Sequence, residues 1–107
     1  MKDDQLYLAH IKDAINCVEE FTKEGKDHFV EDRKTRDAVL RNLQTLSESL
    51  SKLSQPFKDQ LPQVPWNDIN GFRNVIVHDY LGLDVDETWE IIEQDLPRLK
   101  GWLTPYL

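Results

Sequence analysis

The stretch VLRNLQTLSESLSKL, residues 39–53, places Val39, Leu43, Leu46, Leu50 and Leu53 in alternating steps of four and three residues. Those steps return to one side of a helix that turns about once every 3.6 residues, and the intervening positions other than Leu40 are polar. This segment is therefore read as a core helix, starting near Glu31 or Asp32 and running to about Ser54. Working outward, Tyr7, Ile11, Ala14, Ile15, Val18 and Phe21 draw a similar stripe between Asp3 and about Lys23. Asp3 and Asp4 are expected to cap its start and Gly25 to end it. The residues from Lys26 to Val30 read as a connection.

Beyond the central helix, Pro56, Pro62 and Pro65 interrupt the pattern, and Phe57 and Leu61 suit a short helical turn between them. A further helix is predicted from Pro65 or Trp66, with Trp66, Ile69, Phe72, Ile76 and Val77 on its apolar face and Gly82 opening the next turn. In Asp84-Val85-Asp86-Glu87 the spacing predicts a capping box. The last helix should bury Trp89, Ile92, Leu96, Leu99 and Leu103, with Pro97 kinking or splitting it. No strand-like alternation of useful length intervenes, so the expected fold is all-α, a bundle of four to five helices forming a single domain over residues 1–107.

Composition narrows the function. A chain of 107 residues with 39% hydrophobic and 31% charged residues suits one soluble domain, which buries a modest core but does not enclose a deep cleft without a second subunit. No apolar run is long enough for a membrane span, and the N-terminal residues lack the pattern of a secretory signal, so a cytoplasmic location is expected. Cys17 stands alone, which excludes an intrachain disulfide or a cysteine-based zinc cluster, and its apolar neighbours place it in the core as an inert residue. The net charge of -7 repels nucleic acid at long range, so any RNA contact has to be local.

The chemistry concentrates in FRNVIVHDY, residues 72–80. Arg73 is a fixed cation, His78 titrates near neutral pH and Tyr80 carries a phenol, with Asn74 and Asp79 beside them. Cleaving RNA without a metal needs a base for the ribose 2′-OH, an acid for the leaving 5′-oxygen and a cation for the phosphate charge. On a regular helix Tyr80 lies almost over Arg73, whereas His78 lies about 140° around. Either the helix loosens near His78, which Gly82 favours, or the arginine wraps back toward the imidazole. One histidine does not act as base and acid in a single step, so a two-fold dimer apposing two motifs is expected to build the site.

Arg73-Asn74-Val75-Ile76-Val77-His78-Asp79-Tyr80 resembles the signature of HEPN-domain ribonucleases: arginine, a polar residue, spacers, histidine, and a tyrosine two positions on. With residues 65–72, Leu83-Asp84 and Trp89-Glu90-Ile91-Ile92, it is similar to the HepT toxin branch, as are residues 41–46 and 95–99. One departure is Ser47, where many relatives have glycine. The resemblance implies a metal-independent endoribonuclease of a type VII toxin-antitoxin system, acting on RNA as a homodimer, leaving a cyclic phosphate and using no cofactor. It also implies a MntA-type nucleotidyltransferase antitoxin as partner in a larger hetero-oligomer, silencing the toxin by AMPylation of Tyr80. AMP adds bulk and phosphate charge beside Arg73, and the acidic surface suits a basic antitoxin.

The other readings are plainer. An arginine and a histidine at helical spacing are ordinarily a surface ion-pairing residue and a helix-terminal residue, and the pattern alone favours that. His28 and Asp32 read as a loop followed by a cap rather than metal ligands, and His10 as a helix-face residue. Of Trp66, Trp89 and Trp102, two sit on apolar stripes and are expected in the core rather than stacked on bases. Glu19, Glu20 and Glu24 read as a solvated face. The rival function is a non-catalytic helical scaffold for a nucleotidyltransferase.

Overall fold

A computed structural model of the chain describes residues 2–69 and 85–107. Among these residues every regular element is helical, in agreement with the all-α reading. The order is α1 (Lys2–Phe21), α2 (Lys26–Glu31), α3 (Arg33–Ser51) and α4 (Gln55–Asp59). A helical stretch over residues 66–69 follows, and after it come α5 (Val85–Glu90), a π-helical turn (Ile91–Asp95), α6 (Leu96–Leu103) and a 3-10 turn (Thr104–Tyr106). Among the described residues no helix is long and apolar enough to cross a membrane.

The centre of the fold is the pairing of α1 with α3. Ile11, Ala14, Ile15 and Val18 meet Val39, Leu43, Leu46, Leu50 and Leu53, all buried in one cluster with Leu96, Leu99 and Leu103 of α6. Full burial of each such aliphatic side chain stabilises by roughly 1.5–3 kcal/mol, which makes this cluster the main source of cohesion. The helices run antiparallel, since the short α2 joins them at one end and Asp4 meets Ser54 at the other.

That second junction revises the expected role of Asp4. The carboxylate is buried and accepts from the Ser54 amide at 2.7 Å and the Ser54 hydroxyl at 2.5 Å. The Ser54 oxygen in turn accepts from the Phe57 amide at 3.3 Å and caps α4. The Ser54 hydroxyl holds the Asp4 carboxyl below its ordinary value of 3.8, against the upward push of burial.

Three further expectations change. Residues 26–30 belong to α2 rather than to a plain connection: Phe29 is 1% exposed and its ring packs on Trp89 with centroids 5.4 Å apart. Gly25 precedes α2 with φ 95, a backbone region that side-chain-bearing residues rarely adopt, which is why glycine stands there. Phe21 is exposed because α1 ends on it, past the core, and near the other end of the helix Leu8 is buried beside the half-buried Tyr7. Cys17, next to Val18 but about 100° around the helix, is half-buried rather than inside the core. Ser47 is buried and its hydroxyl donates to the Gln44 carbonyl at 2.9 Å, so its own helix satisfies it.

Candidate active site

Arg73, Asn74, His78, Asp79 and Tyr80 lie outside the described residues, as do Asp84 of the expected capping box and Phe72, Ile76 and Val77 of the expected apolar face. The structure describes the residues that flank this segment in the sequence on either side. On the leading side, Pro65 precedes the helical residues, and the Ile69 amide donates to the Pro65 carbonyl at 3.1 Å. Trp66 fixes this start. Its indole N–H faces the carbonyls of Leu61 at 3.1 Å and Lys58 at 3.2 Å, while the Lys58 ammonium sits 5.7 Å from the ring centroid. Trp66 and Ile69 both pack on the core. The expected start at Pro65 or Trp66 holds.

On the trailing side, α5, the π turn and α6 form one run of helix. Trp89 is half-buried against Phe29, and its indole N–H donates to Glu93 at 2.8 Å. Trp66, Trp89 and Trp102 are all partly buried side chains packed against the core. Lys26 of α2 pairs with Asp86 of α5 at 3.1 Å, but both side chains are exposed, so the pair adds little stability.

A cavity of about 550 Å³ opens between the two flanking stretches. Leu50, Ile69, Leu96, Leu99 and Trp102 give it an apolar floor, and among the described residues Asp68, Glu87, Glu90 and Asp95 bring four carboxylates to its wall, with Arg98 as the one cation. Such a wall repels phosphate. The sequence reading missed this acidic wall because its residues come from separate elements. Only Glu87 and Glu90 share one helical face, and their three-residue spacing is the part of the signal the sequence carries.

The plainer polar clusters lie elsewhere. His28 falls within α2, 3.0 Å from Glu24 and 3.5 Å from Asp32, and Asp32 occupies the cap position of α3. The Thr35 hydroxyl donates to Asp32 at 2.6 Å, which together with the nearby His28 lowers the Asp32 pKa. His10 is exposed, edge-on to Tyr7. Glu19, Glu20 and Glu24 are exposed, as expected of a solvated face: Glu20 pairs with Lys23 at 2.7 Å and Glu19 with Lys100 at 2.9 Å.

Comparison with known proteins bears on this end of the fold. Residues 11–104 match the family described as HepT-like, ribonuclease HepT-like. A protein of Thermococcus cleftensis named probable ribonuclease HepT is 38% identical over 96 residues, covering 89% of this chain and 87% of the relative. A protein of Methanocaldococcus jannaschii provisionally named as an RNase is 33% identical over 100 residues, 92% of each chain. A second protein of that organism, named gamma-glutamylcyclotransferase and provisionally RNase, is 33% identical over 100 residues; the chain spans 92% of its own length but 45% of that relative. No solved structure gives a significant match. With the family matched from Ile11 to Thr104 and relatives aligned over most of its length, the chain belongs to the HepT-like ribonuclease family.

Proposed function

We propose that this chain is the toxin of a toxin-antitoxin pair, a single-domain, metal-independent endoribonuclease working in the cytoplasm. The observation that supports it most is the coincidence of the family match over residues 11–104 with the arginine, histidine and tyrosine of residues 73–80 inside it. In the proposed reaction His78 takes the proton of a ribose 2′-OH, and that oxygen attacks the neighbouring phosphorus. The bond from phosphorus to the 5′-oxygen breaks as a second imidazole delivers its proton there. The products are a 2′,3′-cyclic phosphate and a 5′-hydroxyl. Arg73 stabilises the charge on the phosphoryl oxygens, Asn74 and Asp79 orient these groups, and Tyr80 contacts the substrate.

The second imidazole comes from a second copy of the chain, apposed by two-fold symmetry. The carboxylates among the described residues of the cavity wall do not hold phosphate, which supports assigning that task to the motif's own arginine. A nucleotidyltransferase antitoxin silences the enzyme by transferring AMP to the Tyr80 hydroxyl, placing bulk and negative charge beside Arg73.

The test is RNA cleavage in EDTA by the unsubstituted chain and by His78→Ala, with growth followed on induction without an antitoxin. Cleavage and growth arrest, both lost in His78→Ala and in Arg73→Ala, are expected. Equal cleavage by the unsubstituted chain and His78→Ala removes His78 from the mechanism. Harmless expression with intact RNA favours the scaffold reading. Incubation with the cognate transferase and ATP is expected to add AMP mass to the unsubstituted chain and none to Tyr80→Phe.

A further inference from the structure

We infer that Pro97, acting through the π turn, is a positioning residue that sets which face α5 turns toward the cavity. The activity arm of this inference rests on the ribonuclease reading; its geometric arm does not.

In a regular α-helix, Pro97 would offer no N–H to the Glu93 carbonyl and would press its ring on that oxygen. The structure avoids the collision by widening the turn just before the proline. Residues Ile91–Asp95 are π-helical, and the Leu96 amide donates to the Ile91 carbonyl, five residues back. A π turn takes up one extra residue, so the helix upstream is rotated by about 100° relative to a regular continuation.

The burial pattern records that rotation. Counting back from Leu103, Leu99 and Leu96 in regular steps predicts Ile92 and then Trp89 as buried. Ile92 is buried, but so is Ile91 at 6% exposure, and above it Thr88 at 2% takes the inward position expected for Trp89. Trp89 is left at the edge, its ring on Phe29 and its indole on Glu93. The same rotation turns Glu87, Glu90 and Ile91 to the cavity. Regularising the helix would bring Trp89 inward, expel Thr88 and swing those three residues off the cavity wall. In the sequence four residues separate Tyr80 from Val85, where α5 begins, so the face that α5 presents bears on the proposed site.

The experiment places a reporter cysteine, Thr88→Cys, in a Cys17→Ser background and follows its labelling by a thiol reagent alongside RNA cleavage. With Pro97 present the reporter is expected to be protected. Pro97→Ala should expose it and lower kcat by about ten- to a hundredfold with little change in KM. Deleting the exposed Gln94 together with Pro97→Ala yields a regular helix with the native faces, and should restore both protection and cleavage. Unchanged labelling in Pro97→Ala overturns the inference, as does changed labelling with unchanged cleavage. If even the unsubstituted chain cuts no RNA, the ribonuclease reading fails, while the labelling still decides whether Pro97 sets the face of α5. Should Pro97→Ala not fold, deletion of Gln94 alone is compared with the deletion plus Pro97→Ala. Recovery of reporter protection on adding the proline replacement is expected, and no recovery overturns the inference.

Discussion

Between α1 and α3 the buried positions follow one regular spacing from end to end, whereas from Val85 to Leu103 the spacing shifts by one residue at the π turn. The first region is apolar on each facing side and encloses fully buried side chains such as Ile11, Val39 and Leu46. The second borders a cavity and follows, in the sequence, the segment that carries the candidate catalytic groups. The difference separates two tasks. Regular stripes give cohesion, and the irregular turn gives direction to the helix that begins five residues after Tyr80 in the sequence.

The sharpest way to break this contrast is to remove equal volume from each region. Leu46→Ala, at a site with no exposure, is expected to lose about 2–5 kcal/mol of unfolding free energy, with Leu99→Ala at the low end of that range because its neighbourhood is already partly open. Urea unfolding of both variants checks it, and equal losses would erase the distinction. Next in size is Asp4→Ala, which removes the buried acceptor from the partly buried Ser54 amide and hydroxyl and should cost about 1–3 kcal/mol.

The same clasp predicts a pH dependence. Because folding lowers the Asp4 pKa, its contribution is fully present above the ordinary value of 3.8 and fades as pH falls through the lower folded value. Stability measured against pH should therefore drop less steeply in that acid range for Asp4→Asn than for the unsubstituted chain. Gly25→Ala should cost about 1 kcal/mol or more through its left-handed backbone alone, since open space surrounds the position. A thermal melt reads that loss. Smallest is Lys100→Met, which breaks the exposed pair with Glu19 and is expected to change stability by less than about 1 kcal/mol.

What could be read from the sequence divides along the same line. The stripe from Val39 to Leu53 was legible because one partner helix covers the whole of it. Trp66 and Ile69 were legible for a similar reason, with Pro65 marking the start. α2 was missed because a helix of six residues is too short to show a period, and its one buried side chain, Phe29, has no companion on the same face. Phe21 was overread because periodicity does not reveal where a helix outruns its core. Pro97 announced a distortion but not its kind, since kink, break and π turn all relieve the same collision. The candidate site was legible through residue types and their spacing. The proposed second copy is a property of two chains that one sequence does not display, and the carboxylates at the cavity wall come together only through tertiary structure.

The Asp4–Ser54 clasp also bears on the order of folding. It joins groups 50 positions apart, so the chain between them has to be gathered before the hydrogen bonds can form. Pairing of α1 with α3 does that gathering, which makes the clasp a late event that locks the hairpin of helices once assembled. Its loss should fall mainly on the unfolding rate and leave the refolding rate nearly untouched, making Asp4 a determinant of how long the native state persists.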